Sequence, residues 1–194
     1  MKKILLFLLT LMIGFSTLQL SAQQTVVIGS GTSTSSYLPS YSFYNYSLTQ
    51  QLYTSDEIGT AGTITSVAFY NNGSQKTRNY TVYMVNTNQA SFANSTSWIT
   101  VTASDEVFTG SVTFTASAWT TITLDTPFEY DGSSNLAIII DDNTGSYSSG
   151  LSGYVFDATA MALRIYSDGT NYNPFSPTSY SGTVMNVKNL YCHR

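Results

Sequence analysis

Thr63-Ile-Thr-Ser-Val-Ala-Phe-Tyr70 and, after the turn Asn71-Asn-Gly73, Tyr80-Thr-Val-Tyr-Met-Val85 set β-branched and aromatic residues in a period of two. That period puts successive side chains on opposite faces of a strand, one apolar and one bearing hydroxyls. The pattern recurs in Ser97-Trp-Ile-Thr-Val101, Ser111-Val-Thr-Phe-Thr115, Trp119-Thr-Thr-Ile-Thr-Leu124 and Ala162-Leu-Arg-Ile-Tyr166. Each reads as a half-buried antiparallel strand. Asn135-Leu-Ala-Ile-Ile-Ile140 is apolar throughout instead, which predicts a central strand covered on both faces. Trp98 and Trp119 head their runs and are expected in the core.

Turn residues punctuate these runs. Asn71-Asn-Gly73, Asp131-Gly132, Asn143-Thr-Gly145 and Asp168-Gly169 tolerate positive φ. Many short strands at this spacing predict an all-β chain, an antiparallel β-sandwich of jelly-roll type. Two places predict a single helical turn. Thr54-Ser-Asp-Glu-Ile58 carries an N-cap followed by acids, and Ser91-Phe-Ala-Asn94 is the other. Residues 30–47 are Ser/Tyr-rich, and the tyrosines predict an irregular, partly packed segment rather than disorder. Thr183 to Leu190 reads as the final strand.

At the start, Lys2 and Lys3 precede the apolar run Ile4–Ile13, and small residues lead to Ser21-Ala22. This is the pattern of a signal peptide over residues 1–22, cut after Ala22, with a single domain over 23–194. The apolar run is too short to span a bilayer, and no second one follows, so membrane insertion of the mature chain is not expected. Without Lys2 and Lys3, five basic residues stand against eleven acidic, a mature net charge of −6. A nucleic-acid partner needs a basic stripe, so that class is set aside. One cysteine makes no internal disulfide, and stability must come from packing.

Catalytic equipment is sparse. The only histidine and the only cysteine are His193 and Cys192, next to Arg194 at the chain end, where an exposed tail is expected. Nucleophilic catalysis needs a base held in a pocket, which that position does not offer. Paired acids occur at Asp56-Glu57, Asp105-Glu106 and Asp141-Asp142, the chemical minimum for a glycan-cleaving hydrolase. Neighbours on a strand face opposite ways, so turn acids in solvent explain them better. Asp141-Asp142-Asn143 offers hard oxygens for a structural calcium, though an Asx-rich turn accounts for it equally, and no cofactor is expected. The sequons at Asn45, Asn72, Asn79 and Asn94 are chance matches in so Asn/Ser/Thr-rich a chain.

The aromatic residues are more telling. Tyr37, Tyr41, Tyr44, Tyr46, Tyr147, Tyr154, Tyr172 and Tyr180 stand in or beside Ser/Gly/Asn-rich segments. Tyrosine offers a flat face and a hydroxyl, which suits stacking on sugars or docking on protein; packing onto the sheet is the ordinary alternative. Tyr37, Tyr41, Tyr147 and Tyr172 are the candidate ligand-binding residues.

Tyr46-Ser-Leu-Thr-Gln-Gln-Leu-Tyr53, Glu57 to Phe69, Trp119 to Phe128, Asn135 to Asn143 and Leu163 to Gly169 together resemble a β-sandwich domain of secreted Bacteroidota adhesin-like proteins. Such domains accompany gingipain- and haemagglutinin-type regions and often precede fibronectin type III modules. The resemblance implies a binding or adhesion domain without a catalytic signature, secreted or held at the surface or in the periplasm of a Gram-negative bacterium. Its partner would be a glycan or a surface protein. A structural accessory domain of an extracellular assembly is the alternative, and oligomeric state stays open. The family pattern often continues into further domains, so a stand-alone or a shortened copy are both expected forms.

Overall fold

The computed structural model describes residues 24–189 and 191–193. The proposed signal peptide lies outside them. In chain order the strands are β1 (Val26–Ile28), β2 (Ser33–Ser35), β3 (Tyr46–Tyr53), β4 (Gly62–Asn71), β5 (Lys76–Thr87), β6 (Glu106–Phe114), β7 (Ala118–Tyr130), β8 (Asn135–Asp142), β9 (Gly153–Ser167), β10 (Thr183–Asn189) and β11 (Tyr191–His193). One α-helical turn, α1 (Ser55–Ile58), follows β3. It forms where Thr54 caps it: the Thr54 hydroxyl accepts from the Glu57 amide, and Glu57 accepts from the Thr54 amide. The second expected turn, at Ser91–Asn94, is only a bend.

All pairings among the described strands are antiparallel, and they link every strand into one sheet that nearly closes into a barrel. The ladder runs β6-β5-β8-β3-β9, then touches β4 through the single pair Asn71–Gly153. β4 pairs with β7 along one side and with β11 on the other, and β11 carries β1. β6 and β7 run side by side without a ladder. There the Thr109 amide donates to Asp125 and the Thr115 amide to the Thr120 hydroxyl. The barrel therefore has two thin seams. β2 and β10 flank β9 on its outer length.

Two cores result. The interior one gathers Ile64, Val67 and Phe69 of β4, Tyr80, Val82 and Met84 of β5, Ile122 and Leu124 of β7, Ile138 and Ile140 of β8, and Tyr191. Ile64 and Val67 are three apart, a phase break in a strict alternation. A bulge between Ile64 and Ser66 absorbs the extra residue and returns both to one face. The second core lies on the other side of β3, β5, β8 and β9, where Leu48, Leu52, Tyr83, Ala137, Ile139 and Leu163 meet Phe92, Trp98, Ile99 and Val101. β8 is thus buried on both faces and lies between β3 and β5, as its unbroken apolar run predicts.

Three expectations are corrected. Ser97–Val101 is not a strand, because the Gln50 side chain takes its backbone: the Ile99 amide donates to Gln50 Oε1 at 2.8 Å, and Gln50 Nε2 donates to the Ile99 carbonyl at 2.7 Å. An amide side chain stands in for a strand neighbour. Trp119 is not core; it is 41% exposed, on the face shared with Thr121 and Thr123, while Thr120, Ile122 and Leu124 point inward. Residues 191–193 are not a loose tail. They form β11, paired to β1 and β4, with Tyr191 fully buried.

The expected turns at Gly132 and Gly145 do have positive φ, 77° and 70°. Gly73 is required for a different reason: a Cβ there would stand 1.7 Å from the Gly150 carbonyl oxygen. No described helix is long and apolar enough to cross a membrane.

Candidate functional site

The segment between β2 and β3 packs over the end of β9. Leu38, Ser40 and Ser42 turn inward and are buried. Thr49 and Ser47 of β3 fasten the segment, the first donating to the Pro39 carbonyl and the second accepting from the Tyr41 amide. The aromatic residues between these anchors are pushed together on the outer side. Tyr37 and Tyr41 have ring centroids 4.6 Å apart, Tyr41 and Tyr44 5.3 Å, and Tyr41 and Phe43 5.6 Å. Tyr166 of β9 closes the group at 4.8 Å from Tyr41 and 4.3 Å from Tyr44. Tyr147, in the loop after β8, meets Phe43 at 6.1 Å.

Three of the four candidate tyrosines, Tyr37, Tyr41 and Tyr147, therefore belong to one continuous cluster. Its outer members are Phe43, 41% exposed, and Tyr147, 61% exposed, two of the most exposed large side chains among the described residues. Burial and the neighbouring tyrosines raise the Tyr41 hydroxyl's pKa, so it is a neutral hydrogen-bonding group at ordinary pH. Tyr172 is elsewhere. It leans on the second core, contacts Tyr180 edge-on at 5.0 Å and donates to the Tyr166 carbonyl at 3.0 Å, which is the packing role.

Arg164 lies at the centre of the cluster. Its guanidinium carbon is 3.7 Å from the Tyr37 ring centroid and 5.2 Å from that of Tyr166. Nε and Nη1 are buried and have no hydrogen-bond partner among the described residues. No described carboxylate forms an ion pair with it. Arg164, Phe43, Tyr44 and Tyr166 were not singled out from sequence. The signal was there in part, since Arg164 is a lone cation in an alternating strand, but its aromatic neighbours are contributed by a distant segment.

Among the paired acids, Glu57 and Asp142 are taken up in structural bonds. Glu57 bonds Lys188 at 2.6 Å and caps α1. Asp141 and Asp142 face opposite sides of β8. Asp142 is fully buried, accepting from Arg78 Nε and the Ser40 hydroxyl, each at 2.8 Å, on one oxygen and from Thr144 on the other. Asp141 accepts from Asn143 Nδ2 at 3.0 Å, and burial raises its pKa to about 7. A calcium ion does not fit this run: both oxygens of Asp142 are already engaged, and Asp141 points away. Among the described residues no group of three His, Cys, Asp or Glu is placed to hold a metal.

A second exposed aromatic group lies on another part of the sheet. Tyr70 stacks on Tyr154 at 4.1 Å and 8°, and Trp119 meets Tyr70 edge-on at 5.8 Å. Trp119 stands perpendicular to the stacked pair, so the three rings offer no common plane. No protein-family model matches the chain, and none of the curated proteins matches it.

Proposed function

We propose that this chain is a secreted, non-catalytic recognition domain that holds a glycan or a surface protein on the Tyr37–Tyr41–Phe43–Tyr147 face. The observation that carries this reading is the clustering of aromatic rings, with Phe43 and Tyr147 left open to solvent. Flat rings with hydroxyl rims stack on sugar rings and bond their substituents, at little entropic cost because the neighbours already hold them. The finer architecture belongs to the same reading: a jelly-roll sandwich, with β7-β4-β11-β1 facing β6-β5-β8-β3-β9-β10 across the interior core and the thin seams as its corners. Export after the signal peptide and a Bacteroidota adhesin-like setting complete the proposal, on the strength of the sequence resemblance.

Retention of the mature domain on polysaccharide and glycoprotein arrays tests it. Binding is expected to fall at least tenfold in Phe43→Ala and Tyr147→Ala, both exposed positions. No retention on any surface at high concentration would remove the reading.

A second reading, a structural domain of an extracellular assembly, is favoured by β1. Among the described strands it pairs only with β11, and its Val27 is 58% exposed. An unguarded edge strand is a template for another chain. Sizing of the mature chain separates the two, since a stable oligomer without ligand supports assembly.

A further inference from the structure

We infer that Arg164 makes this surface selective for acidic glycans, binding a carboxylate or sulfate group carried on the sugar. The inference rests on the recognition reading above and adds the chemistry of the ligand.

The cost of burying guanidinium donors is met by the groups packed around them. The rings of Tyr37 and Tyr166 flank the guanidinium and compensate part of the lost hydration through their negative faces. They do not accept hydrogen bonds from Nε and Nη1, which have no partner among the described residues. Buried polar atoms in native proteins are nearly always paired, so unpaired guanidinium donors mark a missing acceptor. Anionic oxygens are the strongest acceptors for such donors, and a carboxylate or a sulfate carries several.

The surroundings fit a ligand entering there. The covering residues 36–45 are turn and coil rather than ladder, so no strand pairing closes this side of the cluster. Arg78 does not compete for the anion, since Asp142 neutralises it. The exposed rings of Phe43 and Tyr147 belong to the same cluster and would receive the sugar ring.

The test compares matched polysaccharides on the mature domain by affinity electrophoresis. Polygalacturonate is set against its fully methyl-esterified form, and dextran sulfate against dextran. Retention at least tenfold stronger for a charged member is expected. The pair that discriminates identifies carboxylate or sulfate as the group. Equal retention of charged and neutral forms overturns the inference and leaves the recognition reading standing; no retention of any of the four polymers overturns the inference, and the arrays decide the recognition reading. Arg164→Gln supplies the second arm. It is expected to abolish the preference, bringing retention of the charged polymer down to that of its neutral partner. A folded Arg164→Gln that still prefers the acidic polymer overturns the inference as well. Should that variant fail to fold, the paired polymers on the unaltered domain still decide.

Discussion

Arg78 and Arg164 are both arginines on strands, shielded from water, and they are handled in opposite ways. Arg78 is fully enclosed and fully answered: Nε meets Asp142 at 2.8 Å, Nη1 donates to the Ser146 carbonyl at 2.7 Å and Nη2 to the Tyr44 carbonyl at 3.0 Å. Arg164 has rings for neighbours and no ion pair among the described residues. The same division separates the adjacent acids of β8, for Asp142 has Arg78 while Asp141 has only an amide. A charge with a complete set of partners organises the fold. A charge without one is either a burden on it or reserved for something outside it.

The sharpest way to break this comparison is Arg78→Met. Removing one member of an enclosed pair strands the other, so Asp142 would stay buried without its counter-charge. A loss of about 3–5 kcal/mol is expected in urea unfolding. A loss under about 1 kcal/mol would show that the enclosed pair is not the organiser it looks like.

Next comes Asp141→Asn, which should act in the opposite direction. The folded carboxyl titrates at about 7, above its usual value near 3.8, chiefly because of burial. The native state therefore holds the proton more tightly than the unfolded chain. This group's contribution is full below about pH 4, falls as pH rises toward 7 and is a constant penalty above that. The asparagine variant is expected to be more stable than the parent by roughly 2–4 kcal/mol at pH 8. It should show little difference at pH 4. Equal stability at pH 8 would place Asp141 among the satisfied groups.

Glu57→Gln is expected to cost about 1–2 kcal/mol, since a charge-assisted bond to Lys188 and the cap on α1 both weaken. Burial alone would raise the Glu57 pKa, but the bonds from Lys188 and Thr54 outweigh it and hold the pKa below the ordinary value. The sign is the reverse of Asp141: this contribution is present above the unfolded pKa and disappears as pH falls through the folded one. Acid titration of the two variants should diverge accordingly.

The smallest effect belongs to Arg164→Met. Lost ring contacts and relieved donors nearly offset, so a stability change within about 1 kcal/mol is expected. A cost equal to that of Arg78→Met would make the two arginines the same kind of residue and remove the reason to look for a ligand.

Much of the fold was readable before any coordinates, where one residue's neighbours in sequence are also its neighbours in space. The apolar run Leu136–Ile140 announced a strand covered on both sides, and Thr54 with Glu57 announced the helical turn. Trp119 was misplaced in the core, because its bulk was weighed above its phase with Thr121 and Thr123. Ser97–Val101 was not readable, because its backbone partner is the side chain of Gln50. The tyrosine cluster was visible in composition, and Tyr37, Tyr41 and Tyr147 were identifiable. Arg164 was not, since what sets it apart is the lack of an acid near it in three dimensions. Absence of a distant partner leaves no mark on a strand pattern.

β11 is held between β1 and β4, so among the described strands β1 pairs into the sheet through residues far along the chain. Until those segments meet, that side of the sheet lacks its bridge, and Phe69 of β4 lacks the Tyr191 ring that lies 6.0 Å from it in the finished core. Joining segments so far apart along the polymer is slow compared with closing a hairpin. This edge therefore closes after the local hairpins have formed.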